Sequence, residues 1–227
     1  MIKISNISKT YPGNVKVLSD VSLKIKSGEF VSIVGQSGTG KTTLVKVLTG
    51  EERVDSGQVV VGDWDITKLS KRNIPYLRRQ IGVIFQDFKL LPKKTLRENV
   101  SFALEVCGKS TKKINDIVPH VMRIVGLEDK QNRYPHEVSG GEQQRAAIAR
   151  ALVHRPKILL ADEPTGNLDS INADEIVDLL LKINKFGTTV IFVSHNREIV
   201  NRLHRRVITM DDGRIISDKE KGKYIIK

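Results

Sequence analysis

Residues 35–42 read Gly-Gln-Ser-Gly-Thr-Gly-Lys-Thr, and this stretch decides the fold class of the 227-residue chain. An apolar run at 30–34 precedes it, and a segment of helical composition follows it at 42–48. A glycine-rich loop between a strand and a helix can direct its backbone N–H groups toward phosphate oxygens, and the helix N-terminus adds positive potential. The pattern predicts a phosphate-binding loop in an α/β fold. The alternative is an ordinary glycine-rich turn that happens to carry a lysine.

The side chains of this loop suit a nucleotide with bound Mg²⁺. Lys41 is placed to reach the β- and γ-phosphate oxygens, and the Thr42 hydroxyl can ligate the metal ion. The residues expected to bind the nucleotide here are Gly35, Gln36, Ser37, Gly38, Thr39, Gly40, Lys41, Thr42 and Thr43.

A second apolar run, at 158–161, ends in two adjacent carboxylates, Asp162 and Glu163. In a parallel sheet such a strand brings them to the carboxyl edge, where ligands of α/β folds bind. Asp162 is expected to hold Mg²⁺ through its water shell, and Glu163 to accept a proton from an attacking water as general base. The alternative is that the two acids only cap the turn at 164–166.

A second candidate anion site lies at the segment Ser139-Gly140-Gly141, which precedes a helical run at 146–152. Ser139 can cap that helix, while the two glycines leave its free N–H groups accessible. By itself, such a helix start is more often only a cap.

The remaining pattern predicts one α/β domain. Alternating apolar residues in the first 25 positions, with turn formers at 12–13 and 27–28, predict an antiparallel sheet at the start of the chain. The runs at 158–161 and 189–193 each follow a helical segment and look like buried parallel strands. From 87 to 138 the pattern is helical, at 97–106 and 114–125, which indicates an inserted helical subdomain.

With these three motifs in this order, the chain resembles the ATP-binding cassette family over essentially its whole length. The resemblance implies an α/β nucleotide-binding domain with a RecA-like core, an N-terminal antiparallel β-subdomain and an inserted helical subdomain. It also implies ATP and Mg²⁺ as cofactors and ATP hydrolysis as the activity. One cassette would occupy 1–227, with the core at 1–87 and 139–227 and the helical subdomain at 88–138.

The resemblance also implies individual roles for residues outside the three motifs. Tyr11 matches the aromatic residue that stacks on adenine, and Gln86 the glutamine that senses Mg²⁺ and water. Asp169 matches the loop that crosses the dimer interface, and His195 the histidine that contacts the γ-phosphate. Alone, a tyrosine or histidine near a strand end is usually a packing or surface residue. The implied catalytic set is Lys41, Gln86, Glu163 and His195.

A homodimer in the ATP state follows from the same resemblance. Residues of one subunit would complete the nucleotide site that the other subunit forms with Lys41, Thr42, Asp162 and Glu163. Loss of the γ-phosphate on hydrolysis would remove the interaction that holds the closed state. The completing residues would be Ser139, Gly140, Gly141 and Gln143.

In relatives, an integral membrane subunit docks beside the residue that corresponds to Gln86, in a groove next to the helical subdomain. Internal packing of that subdomain is the alternative for the apolar residues involved. Those residues are Phe88, Leu90, Leu91, Pro92 and Leu96.

The sequences of segments 85–92, 161–169 and 195–210 most resemble those of the branch of the family that acts in bacterial cell division. That branch implies regulation of septal cell-wall hydrolysis through a membrane partner. Lipoprotein-release, macrolide-export and other transport cassettes are the alternative, and the first two share the 162–169 pattern. A nucleic-acid cassette would usually have two cassettes in one chain or a long coiled-coil insertion, so no nucleic acid is expected.

Composition is consistent with a cytosolic protein close to an acidic surface. The formal net charge is +12, which suits nucleotide, nucleic acid or the inner leaflet of a membrane as a partner. Aromatic residues are only 5%, too few for a base-stacking surface, so the membrane is preferred and a solvated basic face is the alternative. No signal peptide or membrane span is recognisable, and the lone Cys107 excludes an intramolecular disulfide. The expected location is the cytoplasmic face of the cell membrane, at the division site.

Overall fold

The computed structural model describes residues 1–224, which form two β-sheets and a set of helices packed against them. The strands are β1 Ile2–Tyr11, β2 Val15–Ile25, β3 Phe30–Val34, β4 Ser56–Val61, β5 Trp64–Asp65, β6 Ile81–Phe85, β7 Ile158–Asp162, β8 Thr189–Val193, β9 Arg206–Asp211 and β10 Arg214–Lys219. The helices are α1 Lys41–Leu48, α2 Ile74–Arg78, α3 Leu96–Val106, α4 Thr111–Ile124, α5 Gly140–Leu152, α6 Ser170–Lys185 and α7 Arg197–Leu203.

The first sheet is antiparallel, as the alternating pattern predicts, with strand order β2-β1-β4-β5. Ile2 pairs with Ile25 on one side and with Val61 on the other. The buried side chains of β1 pack with α1 and with one face of the second sheet in a continuous apolar cluster. Alternation of buried and exposed residues allows one face of this sheet to join the core while the other meets solvent.

The second sheet has the order β10-β9-β3-β8-β7-β6, and β6, β7, β8, β3 and β9 run parallel. Every residue of β3 and β8 is buried, because these central strands are covered on both faces. The segments at 158–161 and 189–193 are confirmed as buried parallel strands, and the structure shows that they are neighbours, with Ile158 paired to Thr189.

The segment 88–138 contains α3, α4 and two short 3₁₀ turns, Glu128–Lys130 and Pro135–Glu137. Thr95 begins α3 with a reciprocal cap, in which its side chain accepts from the Glu98 amide and the Glu98 carboxylate accepts from the Thr95 amide. The apolar faces of α3 and α4 share one cluster with α5, α6 and the parallel sheet. The division of the chain into core and helical subdomain remains a prediction.

Within residues 1–224, no helix is long and apolar enough to span a bilayer.

Candidate functional site

The residues predicted to bind nucleotide or to take part in catalysis meet at one edge of the parallel sheet, where β3, β6, β7 and β8 end. Gly35 follows β3, Gln86 follows β6, Asp162 ends β7 and His195 lies two residues beyond β8. Because parallel strands all end at the same edge, four segments that are distant in sequence converge there.

The phosphate-binding loop begins α1 without a side-chain cap. Gly40 precedes the helix in a left-handed conformation with φ 95° and forms no side-chain cap hydrogen bond, so the first-turn N–H groups stay available to an anion. A Cβ at Gly40 would lie 2.6 Å from the Val17 carbonyl oxygen, and a Cβ at Gly35 2.3 Å from that of Met210. Close backbone approach and positive φ therefore require glycine at both positions.

Lys41 is buried at the start of α1 and holds the loop closed. Its ammonium group donates to the carbonyl oxygens of Gly35 at 2.8 Å and Gln36 at 2.7 Å. Burial lowers the pKa of Lys41, while the nearby carboxylates of Glu163 and Asp162 act in the opposite direction. The lysine is thus a buried positive charge that faces two acids across the loop.

Asp162 ends β7, paired with Phe85 of β6 and Val193 of β8. Burial raises the pKa of this carboxyl group, the neighbouring Glu163 raises it further, and Lys41 partly offsets both. Its Oδ1 atom is buried and has no hydrogen-bond partner among the described residues. A buried oxygen without a donor carries a free-energy cost that a cation can remove.

Glu163 adopts a left-handed backbone conformation, with φ 51°. Its amide donates to the Val193 carbonyl at 3.0 Å, which ties this strained residue to the end of β8. A non-glycine residue in this region costs of the order of 1–2 kcal/mol and is a recurrent feature of functional sites. The strain turns the side chain toward His195, whose Nδ1 lies 2.8 Å from Glu163 Oε1.

A cavity of about 920 Å³ opens beside these groups. Its volume is in the range of sites that hold a nucleotide-sized ligand. The cavity is lined by Thr42 of the phosphate-binding loop, by Asp162 and Glu163 at the end of β7, and by Gln86, which was predicted from the family resemblance.

Two residues of this site, Asn167 and Gln144, were not predicted from the sequence as site residues. Asn167 lines the cavity, and its side-chain amide donates to the Gln86 carbonyl at 3.0 Å while its own oxygen accepts from Gln86 Nε2 at 3.2 Å. Gln144 is fully buried in α5 and donates to the carbonyl of Pro164, directly after Glu163. Both follow a recognised motif, but only the folded chain shows which backbone groups they contact.

Tyr11 ends β1 opposite Val15, across the turn to β2. The ammonium group of Lys9 lies 5.3 Å from the centre of its ring. Val17, two residues beyond Val15, contacts the phosphate-binding loop at Gly40. The aromatic ring therefore sits on the sheet that borders the loop, and its contact with adenine stays a prediction.

Ser139 caps α5 as predicted. Its side chain accepts from the Glu142 amide at 3.3 Å, and the Glu142 carboxylate accepts from the Ser139 amide at 2.9 Å. The helix start packs closely against α6, since a Cβ at Gly141 would lie 2.0 Å from Asn172 Oδ1. None of 139–143 lines the cavity beside Asp162, although a Cβ at Gly140 would lie 4.0 Å from the carbonyl oxygen of Asn167, which does line it.

A second cavity, of about 640 Å³, adjoins the first, and the two share Arg78, Val83, Phe85 and Lys89 in their linings. It is a groove between α2 and α3, with the exposed apolar side chains of Phe102 and Val106 in its wall. Arg79, Lys89 and Arg150 supply positive charge there.

The apolar residues expected at a docking groove divide between two environments. Leu91 lines the groove, whereas Leu96 is fully buried in the core and Leu90 packs against that core. Internal packing therefore accounts for Leu96 and Leu90. Phe102 and Val106 are groove residues that the sequence pattern did not single out, because both lie on a helix whose other face is apolar.

This geometry agrees with comparisons to known proteins. The sequence model of the ABC transporter family matches residues 18–166. A cell division ATP-binding protein FtsE from Mycobacterium tuberculosis is 48% identical over 225 residues, which are 99% of this chain and 98% of that protein. FtsE from Streptococcus pneumoniae serotype 2 is 47% identical, over 99% of this chain and 97% of its own length.

A solved structure is similar over the same extent. It is the dimeric post-hydrolysis state of an ATP-binding cassette bound to ADP and Pi, and it covers 99% of this chain and 100% of its own with 34% identity and a TM-score of 0.88. The chain belongs to the ABC transporter family, and it is an ATP-hydrolysing cassette of that family.

Proposed function

We propose that this cassette hydrolyses ATP with Glu163 as the general base. The observation that carries the assignment is the 2.8 Å contact between Glu163 Oε1 and His195 Nδ1 beside the phosphate-binding loop. The carboxylate accepts a proton from the attacking water as the new bond to the γ-phosphorus forms and the bond to the bridging oxygen breaks. His195 orients the carboxylate and contacts the γ-phosphate. Lys41 balances the charge that develops on the phosphate oxygens.

Mg²⁺ fits the oxygen donors at the end of β7. The buried Oδ1 of Asp162 lacks a partner, and Thr42 and Gln86 line the same cavity. Hard divalent cations prefer oxygen ligands. Thr42 and Asp162 would hold the ion, the latter through water, and Gln86 would contact its water shell. When bound, the ion neutralises charge on the β- and γ-phosphates.

We propose that the ATP state is a head-to-tail homodimer. Ser139, Gly140, Gly141 and Gln143 lie at the start of α5, whose free N–H groups suit a phosphate, yet none of them lines the cavity of their own protomer. A partner subunit can supply the same segment to that cavity. The dimeric arrangement of the similar ADP- and Pi-bound cassette supports this assembly. Tyr11 would stack on the adenine.

The partner that the motor drives is proposed to be an integral membrane protein of the FtsX type. The groove beside the nucleotide cavity suits it, because Phe85 and Lys89 line both and can transmit movement between them. Near-complete coverage by FtsE relatives supports the regulation of septal cell-wall hydrolysis, at the cytoplasmic face of the division site. A basic surface near acidic lipids agrees with that location, and no nucleic acid is required.

A membrane pull-down tests this proposal. Glu163→Gln protein, loaded with ATP, is used to capture partners from solubilised native membranes, with Glu163→Gln/Phe102→Asp as the groove variant and Glu163→Gln/Ile216→Asp as the matched control on β10. We expect Glu163→Gln and Glu163→Gln/Ile216→Asp to capture an FtsX-type protein, and Glu163→Gln/Phe102→Asp not to capture it. Recovery of a permease with a solute-binding protein would instead make the cassette a transport ATPase.

A further inference from the structure

A third cavity, of about 830 Å³, lies at the amino ends of the parallel strands, at the opposite edge of the sheet from the nucleotide site. Ser27 before β3, Lys157 before β7 and Thr188 before β8 belong to its lining. The hydrolysis mechanism and the membrane groove use none of these residues. The cavity is therefore a separate feature of the surface, called the rear cleft below.

Two helices form the walls of the rear cleft, and each contributes a stripe two turns long. On α4 the lining residues are Ile117, His120, Val121 and Ile124. On α6 and its C-terminal cap they are Leu179, Lys182, Ile183 and Phe186. Both sets follow the spacing i, i+3, i+4, i+7, which places each on one helical face. The last turn of α5, at Leu152, and the following Val153 lie between them. Two facing stripes of this length match the dimensions of a third, short helix.

The rim of the rear cleft exposes unusually large apolar side chains. Phe186 is 91% exposed and Ile124 is 62% exposed, although both lie next to the well-packed Val121 and Ile183. Contiguous exposed apolar surface beside a concavity is typical of an interaction site. Covering Phe186 alone would strengthen an association by more than about tenfold.

The charge of the rear cleft has one sign. Arg155, Lys157 and Lys182 line it, and no aspartate or glutamate does. In residues 1–224, no carboxylate lies within ion-pair distance of these three side chains. Asp116 and Asp178 occur on the same two helices but do not line the cleft. The occupant should therefore be acidic where it meets the rim.

We propose that the rear cleft binds a short amphipathic helix of another protein, with apolar residues at i, i+3 or i+4 and i+7 and acidic residues along both flanks. A second copy of this chain fits less well, since a twofold contact would bring the three cations close to their own copies. A lipid surface fits less well because the face is a trough between two helices rather than a convex one.

A designed peptide tests this inference without nucleotide. The probe is a fluorescein-labelled peptide of about 16 residues, long enough to be helical, with leucines at the stated spacing and glutamates on its flanks. Its partner probe carries lysines in place of the glutamates. Binding to the full chain is followed by fluorescence anisotropy at two salt concentrations.

We expect the glutamate peptide to bind and to weaken at high salt, while the lysine peptide binds at least about tenfold more weakly. Phe186→Ser/Ile124→Ser should weaken binding by at least about tenfold, and Lys182→Glu by about fivefold. The controls Ile216→Ser, an exposed apolar residue on β10, and Lys71→Glu should bind like the wild type. All four variants change exposed residues and should retain the wild-type melting temperature and basal ATPase activity.

Equal binding of the two peptides, no binding of either, or equal losses in the control variants would overturn the proposal. So would Phe186-dependent self-association in analytical ultracentrifugation, or Phe186-dependent sedimentation with phosphatidylglycerol vesicles. Because these assays need neither nucleotide nor the membrane partner, their failure leaves the proposed ATPase mechanism and groove unaffected.

Discussion

The imidazole Nδ1 of His195 lies 2.8 Å from the carboxylate Oε1 of Glu163, although 32 residues separate the two in sequence. Two backbone features produce this contact. Pairing of β7 with β8 brings the ends of the two strands side by side, and the left-handed conformation of Glu163 directs its carboxylate to the histidine. The backbone of His195 adds a weaker bond, from its amide to Glu163 Oε2 at 3.4 Å. The carboxylate of Glu163, the proposed general base, is thus oriented by contacts within the chain.

Glu163→Gln should bind ATP normally and hydrolyse it about 10²–10⁴-fold more slowly, because the amide keeps the shape of the side chain but cannot accept the proton. With ATP present the variant should accumulate as a dimer. Phosphate release and size-exclusion chromatography measure the two effects. Wild-type turnover in this variant would exclude Glu163 as the base.

His195→Ala should lower the turnover rate by about 10²-fold, because it removes the group that orients the base. If His195 acts through Glu163, the double variant His195→Ala/Glu163→Gln should be hardly slower than Glu163→Gln alone. The double-mutant cycle is measured by single-turnover hydrolysis. Fully multiplicative losses would mean that the two residues act independently.

Asp162→Asn should stabilise the nucleotide-free protein at neutral pH. Burial raises the pKa of Asp162, so the folded state favours the neutral acid more than the unfolded state does. The free energy of unfolding of the wild type should fall as pH rises from the ordinary aspartate range through this raised pKa. The variant lacks that contribution, so its advantage in melting temperature should grow with pH over the same interval.

Adding Mg²⁺ and ATP provides the control for this prediction, since the wild type should then gain more stability than Asp162→Asn. Scanning calorimetry at several pH values measures both effects. An asparagine variant that melts below the wild type at every pH, without ligand, would contradict the assignment of Asp162 as a buried charge without a partner.

Gln144→Leu should slow hydrolysis while ATP affinity is retained. The buried Gln144 side chain donates to the Pro164 carbonyl, so leucine leaves that oxygen without its donor at a cost of about 1–3 kcal/mol. The turn that follows Glu163 then loses its link to α5. Chemical denaturation and steady-state kinetics measure the two effects. The neighbouring Gln143→Leu serves as a control for stability, because its side chain makes a single bond of 3.3 Å, to Val138.

The rear cleft shows the limit of reasoning from periodicity. The stripes at 117–124 and 179–186 carry mostly apolar residues at helical spacing, a pattern typical of a helix face that packs on a core. In the structure Val121 and Ile183 are buried, but Ile124 and Phe186 at the ends of the same stripes are exposed. Whether the end of a stripe is covered depends on where the neighbouring helices and strands end in space. The local sequence of a helix does not specify those positions.

The fold class, the three candidate nucleotide-binding motifs and several of the main strands and helices could be predicted from the sequence alone. These features depend on local requirements, such as glycine where backbone approaches closely and apolar residues in covered strands. The tertiary structure was needed to show the left-handed conformation of Glu163 and the hydrogen bonds of Asn167 and Gln144. Each of these results from contacts between segments far apart in the chain, whose positions are set by the pairing of parallel strands and the packing of helices over them.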